Sequence, residues 1–443
     1  FSELISLYRT GKYNESLELI QNMSSEKRVD LRIQNLEGLI LIGLSRNTDA
    51  KKIFQEIIER HPESSEAYAN MGLLERKTGH QYVAQTFYKK AVTLSPNVSH
   101  LHYNLANVQL EISEYSEAIK NYRKALALNP NFVEGFHNLG VAQNLNSDPS
   151  AAKQSFLEAI SLRDDYRPSL EELAKFYRNS GEIEASLTTL KKIIRYFPNY
   201  VEARVRWLAL AIQTFKIEEI NYFKEYDLNG SLDQSVRLHP RYQIYMAIFS
   251  LICRNYADFS YHLECYSELV SSEKVKKISL SDLRFCNAFL VLLENHRKNG
   301  APSGNHEQIF HFGESHCLTV ANQVLIVNED KMQVQPRIIF GAKAYHFSKK
   351  GPNRFKAITK LALASIPKKS TVLLSFGEID CRLKEGFIPA ALKLAVSVED
   401  VIAETVRGYV QWFEKMNNLA EHSFYFVGVP APLYRSNLSK ELN

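Results

Sequence analysis

The segment Phe310-His311-Phe312-Gly313-Glu314-Ser315-His316-Cys317 runs an apolar stretch into Gly, an acid, Ser and His. A strand that ends this way presents a serine hydroxyl at the mouth of a sheet, beside the N–H groups of a helix start. Ser315 is therefore a candidate nucleophile for acyl chemistry. The same position also suits a simple helix cap, since Ser is a favoured N-cap residue. His316 follows Ser315 directly, so its side chain is expected to point elsewhere, as a substrate contact or a structural residue, with a local base as the alternative. His346 follows a second apolar run and is a substrate contact or a stand-in base. Glu378, Asp380 and Arg382 follow a third run. They either fix their own loop by an ion pair or orient a hydroxylated substrate. Cys317 and Cys381 read as buried free thiols, with a redox pair as the alternative. From Lys331 to Phe376 there are ten Lys or Arg and no Asp or Glu. A stretch of one sign attracts an anionic ligand, or it is a solvated face.

The elements that must position these residues follow from the pattern. Arg297–His306 has the composition of a linker. Short apolar strands are predicted at Gln308–Phe312, Val334–Phe340, Thr371–Phe376 and Ser423–Val429. Helices are predicted at Leu318–Leu325, Arg354–Ser365 and Val398–Asn417. This alternation implies a parallel sheet covered on both faces, with sites at the carboxyl ends of the strands. Three of those ends carry unusual chemistry: Gly313–His316, Gly341–His346 and Gly377–Arg382. Residues 308–443 thereby resemble the SGNH (GDSL-type) hydrolases, whose flavodoxin-like α/β/α fold hydrolyses or transfers acyl groups. Gly313-Glu314-Ser315 matches the first motif, with Glu for Asp, and implies Ser315 as nucleophile. Gly341 matches the oxyanion-hole glycine. Gly377-Glu378-Ile379-Asp380 matches the third motif at Gly and Asp, with Ile379 where the family has Asn. The resemblance implies that Asp380 or Arg382 shapes the pocket. The family's closing Asp-x-x-His has no counterpart, and the segment is expected to continue past Asn443.

Upstream, self-similarity recurs every 34 residues. Ala50, Ala84, Ala118, Ala152 and Ser186 share one phase, and Phe54, Tyr88, Tyr122, Phe156 and Leu190 follow four residues later. Gly38, Gly72, Ala106, Gly140 and Ala174 lie earlier in each unit, and Pro62, Pro96, Pro130 and Pro198 close most units. The physical reading is two antiparallel helices per unit, with small residues where they cross and an aromatic filling the next gap. Proline ends the second helix because it lacks an N–H and disfavours α geometry before it. The pattern resembles the tetratricopeptide repeat. Such an array presents a groove from its first helices, where Asn70, Tyr103, Asn104, Asn107, Asn138 and Gln143 fall. They either contact a peptide or protein partner or solvate a helix face.

The expected organisation is an all-α repeat superhelix over 1–202, degenerate helical repeats over 203–298, a linker over 299–307 and the α/β segment over 308–443. The chain is 45% apolar and 23% charged with a net charge of +5, ordinary for a globular protein. No aromatic-plus-basic nucleic-acid signature occurs, and no apolar run is long enough to span a membrane. Five cysteines without a CxxC pair fit a reducing, cytoplasmic compartment. No metal site or cofactor is expected. Two functions compete. One is a serine esterase or acyltransferase for acylated carbohydrate, with a partner recruited by the repeats. The other is a noncatalytic adaptor whose second domain binds glycan or protein.

Overall fold

The structure, a computed structural model, describes residues 1–226, 239–271, 279–299, 306–327, 329–376, 387–417 and 420–427. The chain divides into two compact units, Phe1–Leu173 and Ala174–Asn443.

The first unit opens with α1 (Ser2–Arg9), α2 (Tyr13–Gln21) and α3 (Ser25–Arg28). Four helix pairs follow: α4 (Leu31–Gly43) with α5 (Asn47–Arg60), α6 (Ser65–Lys77) with α7 (Gln81–Leu94), α8 (Ser99–Glu111) with α9 (Tyr115–Leu128), and α10 (Val133–Leu145) with α11 (Pro149–Leu162). The first helix of each pair stops the same way. Ser45, Gly79, Ser113 and Ser147 take positive φ, between 62° and 88°. The next N–H then reaches back five residues, as from Arg46 to Leu41 O, His80 to Glu75 O and Glu114 to Gln109 O, each 2.8 Å. This is the Schellman closure, which satisfies the last carbonyls of the helix. Three of the four second helices end two residues before a proline. His61, Ser95 and Asn129 leave the helical region with φ near −136°, as a residue preceding proline must.

The helix crossings explain the small residues. A methyl group on Gly38, Gly72 or Gly140 would press on the ring of Phe54, Tyr88 or Phe156 sixteen residues later. Ala106 and Tyr122 share one core in the third pair. Ala50, Ala84, Ala118 and Ala152 are all fully buried or nearly so. No strand occurs in residues 31–202, all of which are described.

The second unit takes the end of α12 (Arg167–Ser180), then α13 (Ile183–Tyr196), α14 (Val201–Gln213), α15 (Ile217–Tyr226), α16 (Pro240–Ile252), α17 (Tyr256–Ser271) and α18 (Leu280–Asn299). The left-handed turn recurs at Gly181 and Phe215, still 34 residues apart. The small-residue phase has faded by then, but the turn geometry has not.

A five-stranded sheet follows, with β1 (Glu307–Gly313), β2 (Val324–Val327), β3 (Asp330–Ile338), β4 (Thr371–Ser375) and β5 (Ser423–Phe426) in the order β2-β3-β1-β4-β5. β1 is central and parallel to both β3 and β4, and β4 is parallel to β5. The expectation of an all-parallel sheet is corrected at one edge, where β2 runs antiparallel to β3. The predicted helix at Leu318–Leu325 is also corrected. Ser315–Leu318 form a single 3-10 turn, and Asn322 then takes φ +60° and donates its N–H to Val334 O at 2.8 Å. That left-handed residue breaks any helix, and Val324-Leu325-Ile326-Val327 pairs as a hairpin arm. Its β-branched residues favour that choice.

The remaining elements are α19 (Ala344–Ser348), α20 (Arg354–Ala364), α21 (Phe387–Leu394) and α22 (Val398–Asn417). Asn353 caps α20 by accepting from the N–H groups of Phe355 and Lys356, both at 3.1 Å. An aromatic core joins α19 and α22 to the sheet: Phe347 lies 4.8 Å from Phe376, 5.0 Å from Trp412 and 5.2 Å from Phe413 between ring centroids. Helices and sheet are also tied by polar links. Asn322 Nδ2 donates to Leu251 O at 2.8 Å, the Phe340 N–H donates to Gln213 Oε1 at 2.9 Å, and His296 Nε2 donates to Leu318 O.

Candidate functional site

The first helices of successive pairs, where the sequence places the expected groove, are linked from residue i to i±35. Asn70, buried, donates to Asn35 Oδ1 at 2.8 Å. Asn138 Nδ2 donates to the Tyr103 hydroxyl at 2.9 Å and to Asn107 Oδ1 at 3.0 Å, and Asn107 also accepts from the Tyr122 hydroxyl at 2.6 Å. Tyr103 packs against Phe132, 4.6 Å between centroids. Gln143, also buried, accepts from Ser155 Oγ at 2.7 Å. Arg76 Nε donates to Glu111 Oε1 at 2.8 Å across the next repeat. Most of the predicted partner-binding amides thus hold the array together. Asn104 differs. It is half-buried, and its side chain makes no hydrogen bond among the described residues.

At the sheet, the register places the carboxyl ends of β3, β1 and β4 side by side. Gly313 pairs with Ile338 on β3 and with Ser375 on β4, and the Ile339 N–H donates to Gly313 O at 2.8 Å. Ser315 follows the central strand and is partly exposed, at the start of the 3-10 turn. Gly341 follows β3 with φ +71° and open space where a Cβ would stand. The expected long helix after Ser315 is absent, so only one short turn supplies N–H groups there. Glu378, Asp380, Cys381 and Arg382 lie outside the described residues, as does the side chain of His316. Cys317 is fully buried, and burial drives its thiol pKa far up.

His346 is half-buried and stacked on Phe355, 3.9 Å between ring centroids. Its Nδ1 accepts the Lys343 N–H at 2.9 Å, which caps α19 and leaves the ring proton on Nε2. Burial, with Lys343, Arg354 and Lys349 nearby, pushes its pKa down to about 4. At neutral pH it is an uncharged cap.

Sequence reasoning missed two features. His311, on the central strand, is buried, with Nε2 2.7 Å from Ser375 Oγ. A histidine within an otherwise apolar strand run was the available signal. The second is Arg337, buried between Phe215 and Phe310, whose ring centroids lie 3.5 Å and 4.9 Å from its guanidinium carbon. Its Nη1 donates to Pro336 O at 3.0 Å, Nε has no partner among the described residues, and burial lowers its pKa to about 9. Phe215, the bulky residue in a left-handed turn, covers this cation, and cation–π attraction offsets its backbone strain.

The family comparison bears on the helical pairs. Residues 37–64 and 65–98 match the family described as tetratricopeptide repeat, and residues 110–146 match the one described as TPR repeat. These segments are tetratricopeptide repeats. The tetratricopeptide turn geometry continues past the matched residues, through Ser147 to Phe215. Among solved structures, PilF of Pseudomonas aeruginosa is 15% identical, covering 58% of this chain and 96% of its own at a TM-score of 0.39. MamA is 19% identical over 36% of this chain and 93% of its own, with a TM-score of 0.35. YrrB, titled a TPR protein with an unusual peptide-binding site, is 16% identical over 50% of this chain and 94% of its own, with a TM-score of 0.32. Likenesses this loose carry no argument. No curated protein sequence matches the chain. Among the described residues, no helix is long and apolar enough to cross a membrane.

Proposed function

We propose that the chain is an adaptor whose tetratricopeptide repeats hold an extended peptide segment of a protein partner. The observation that carries this is Asn104. Its in-phase neighbours Asn70 and Asn138 spend their amides on the array, whereas the half-buried Asn104 amide is unspent among the described residues. A carboxamide offers both a donor and an acceptor, the pair needed to grip one peptide unit. Peptide display on the full chain tests the reading. Selected peptides should compete with one another and lose about tenfold in affinity on Asn104→Ala, the scale of one or two net hydrogen bonds. No enrichment, or affinity unchanged by Asn104→Ala, overturns it.

A second reading keeps acyl chemistry for the sheet. Counting only the parallel strands, the order is second, first, third, fourth, as in flavodoxin-like folds. Ser315 follows the central strand, the position of the nucleophile in SGNH hydrolases. Gly341 would serve as an oxyanion donor, Asp380 would complete the constellation, and Glu378, Arg382, His316 and His346 would contact an acylated carbohydrate. Hydrolysis of a model acetyl ester that disappears in Ser315→Ala supports it. Equal rates in both proteins remove Ser315 from any mechanism.

A further inference from the structure

A cavity of about 550 Å³ lies within the second unit, where α12, α14, α16 and α18 face the turn after β3 and the start of α20. Four arginines line it: Arg178, Arg206, Arg241 and Arg354. Two are compensated. Arg206 pairs with Glu202 at 2.8 Å, and Arg241 pairs with Asp282. The other two have no acidic partner among the described residues. Arg178 Nε is buried and makes no hydrogen bond among the described residues. Burial and the charges of Arg354 and Arg206 all press the Arg178 pKa down, and burial does the same to Arg354. Like charges brought near one another in a partly buried site cost free energy. They persist where something else supplies the opposite charge. Part of the lining is aromatic. The Phe340 ring lies 5.3 Å from Tyr245 and 6.4 Å from Phe285 between centroids. Gly341 opens the rim, with nothing within 4 Å of where its Cβ would stand.

We propose that this cavity binds a small phosphate monoester, with Arg178 and Arg354 gripping the phosphoryl oxygens and the aromatic wall seating the organic body. Two uncompensated guanidinium charges match the charge of about −1.5 to −2 on a phosphate monoester at neutral pH better than the single charge of a carboxylate. Guanidinium forks pair with phosphate oxygens in two parallel hydrogen bonds. The volume falls in the range of small-molecule sites, roughly 300–1,000 Å³. The site also gives a role to Arg354, part of the acid-free basic stretch. It uses none of the residues of the repeat groove.

Titration calorimetry on the full chain tests the proposal, with phenyl phosphate, inorganic phosphate and benzoate as probes at constant ionic strength. Phenyl phosphate should bind saturably at one site, more tightly than inorganic phosphate and much more tightly than benzoate. Arg178→Gln and Arg354→Gln should each weaken it by about tenfold or more, the worth of a charged hydrogen bond. Each should also raise the melting temperature of the ligand-free protein, because the repulsion that Arg178 feels from its neighbouring guanidinium charges is reduced. Arg354→Lys, which keeps the charge and loses the fork, should fold normally and bind with intermediate affinity. No saturable binding of phenyl phosphate at millimolar concentration overturns the proposal. So does binding that survives in the double Gln variant, or a fall in ligand-free melting temperature in both single variants. Equal affinity for phenyl and inorganic phosphate overturns the aromatic seat and leaves a plain anion site.

Discussion

At the scale of single residues, position in the repeat does not determine worth. Tyr88 and Tyr122 occupy equivalent places 34 residues apart, and both are buried. The Tyr122 hydroxyl donates to Asn107, whereas the buried Tyr88 hydroxyl has no partner among the described residues. An unsatisfied buried hydroxyl costs free energy, and a satisfied one contributes about 1 kcal/mol. Tyr122→Phe should therefore destabilise by about 1–2 kcal/mol, and Tyr88→Phe should be neutral or stabilising. Urea denaturation of both variants checks this, and equal losses would refute it. His262 supplies a pH dependence. Its Nδ1–H donates to Gln243 Oε1 at 2.7 Å, and burial, assisted by Lys224 and opposed by Asp258, lowers its pKa to about 4. The unfolded state binds the extra proton between pH 6.5 and 4, so stability falls as pH drops through that window. The loss from this group is roughly 3 kcal/mol. His262→Gln should flatten part of the slope in chemical melts run across those pH values. His346, with its own pKa lowered to about 4, adds to the same slope, as do His239 and His422, whose pKa values burial also lowers.

At the scale of elements, close approach decides. Gly408 on α22 faces α19, and a methyl group there would lie 2.9 Å from both Cα and Cβ of Ser348. Backbone cannot yield as a side-chain tip can, so Gly408→Ala should cost about 1–3 kcal/mol through overpacking. Thermal melting measures it, and an unchanged transition would mean the helices have room to part. The helical elements were legible in the sequence because the small residue, aromatic and proline recur at fixed spacing. Each repeat therefore states the same crossing geometry again. Four strands and the helices starting at Arg354 and Val398 were legible for the ordinary reason of apolar periodicity. The edge strand Val324–Val327 was not. A short apolar run reads equally as strand or helix, and its fate turned on the left-handed Asn322 and on Val334, twelve residues away. His311 and Arg337 were hidden for a related reason. Their partners, Ser375 and Phe215, lie 64 and 122 residues away in the chain.

At the scale of the whole molecule, the sheet does not stand alone. It shares a compact unit with the helices from Ala174 onward. Phe340 uses Gln213, Asn322 uses Leu251, and Arg337 uses Phe215. A fragment starting at His306 loses all three partners and bares an aromatic wall. It should lack a cooperative thermal transition, whereas a fragment starting at Ala174 should melt in one step. Circular dichroism on the two fragments decides, and a sharp transition in the shorter one would contradict this account.

The links between residues 35 apart in the first unit have a mechanical meaning. Asn70 reaches Asn35, Arg76 reaches Glu111 and Asn138 reaches Tyr103, each joining one repeat to the next. The array is a stack of springs coupled in series, and its rigidity over distance is only as good as its softest joint. A peptide lying across several repeats acts as a splint, because it bridges joints that the chain itself couples only one at a time. Occupancy of the groove would then be readable as stiffness, in the sharpness with which the repeats unfold together.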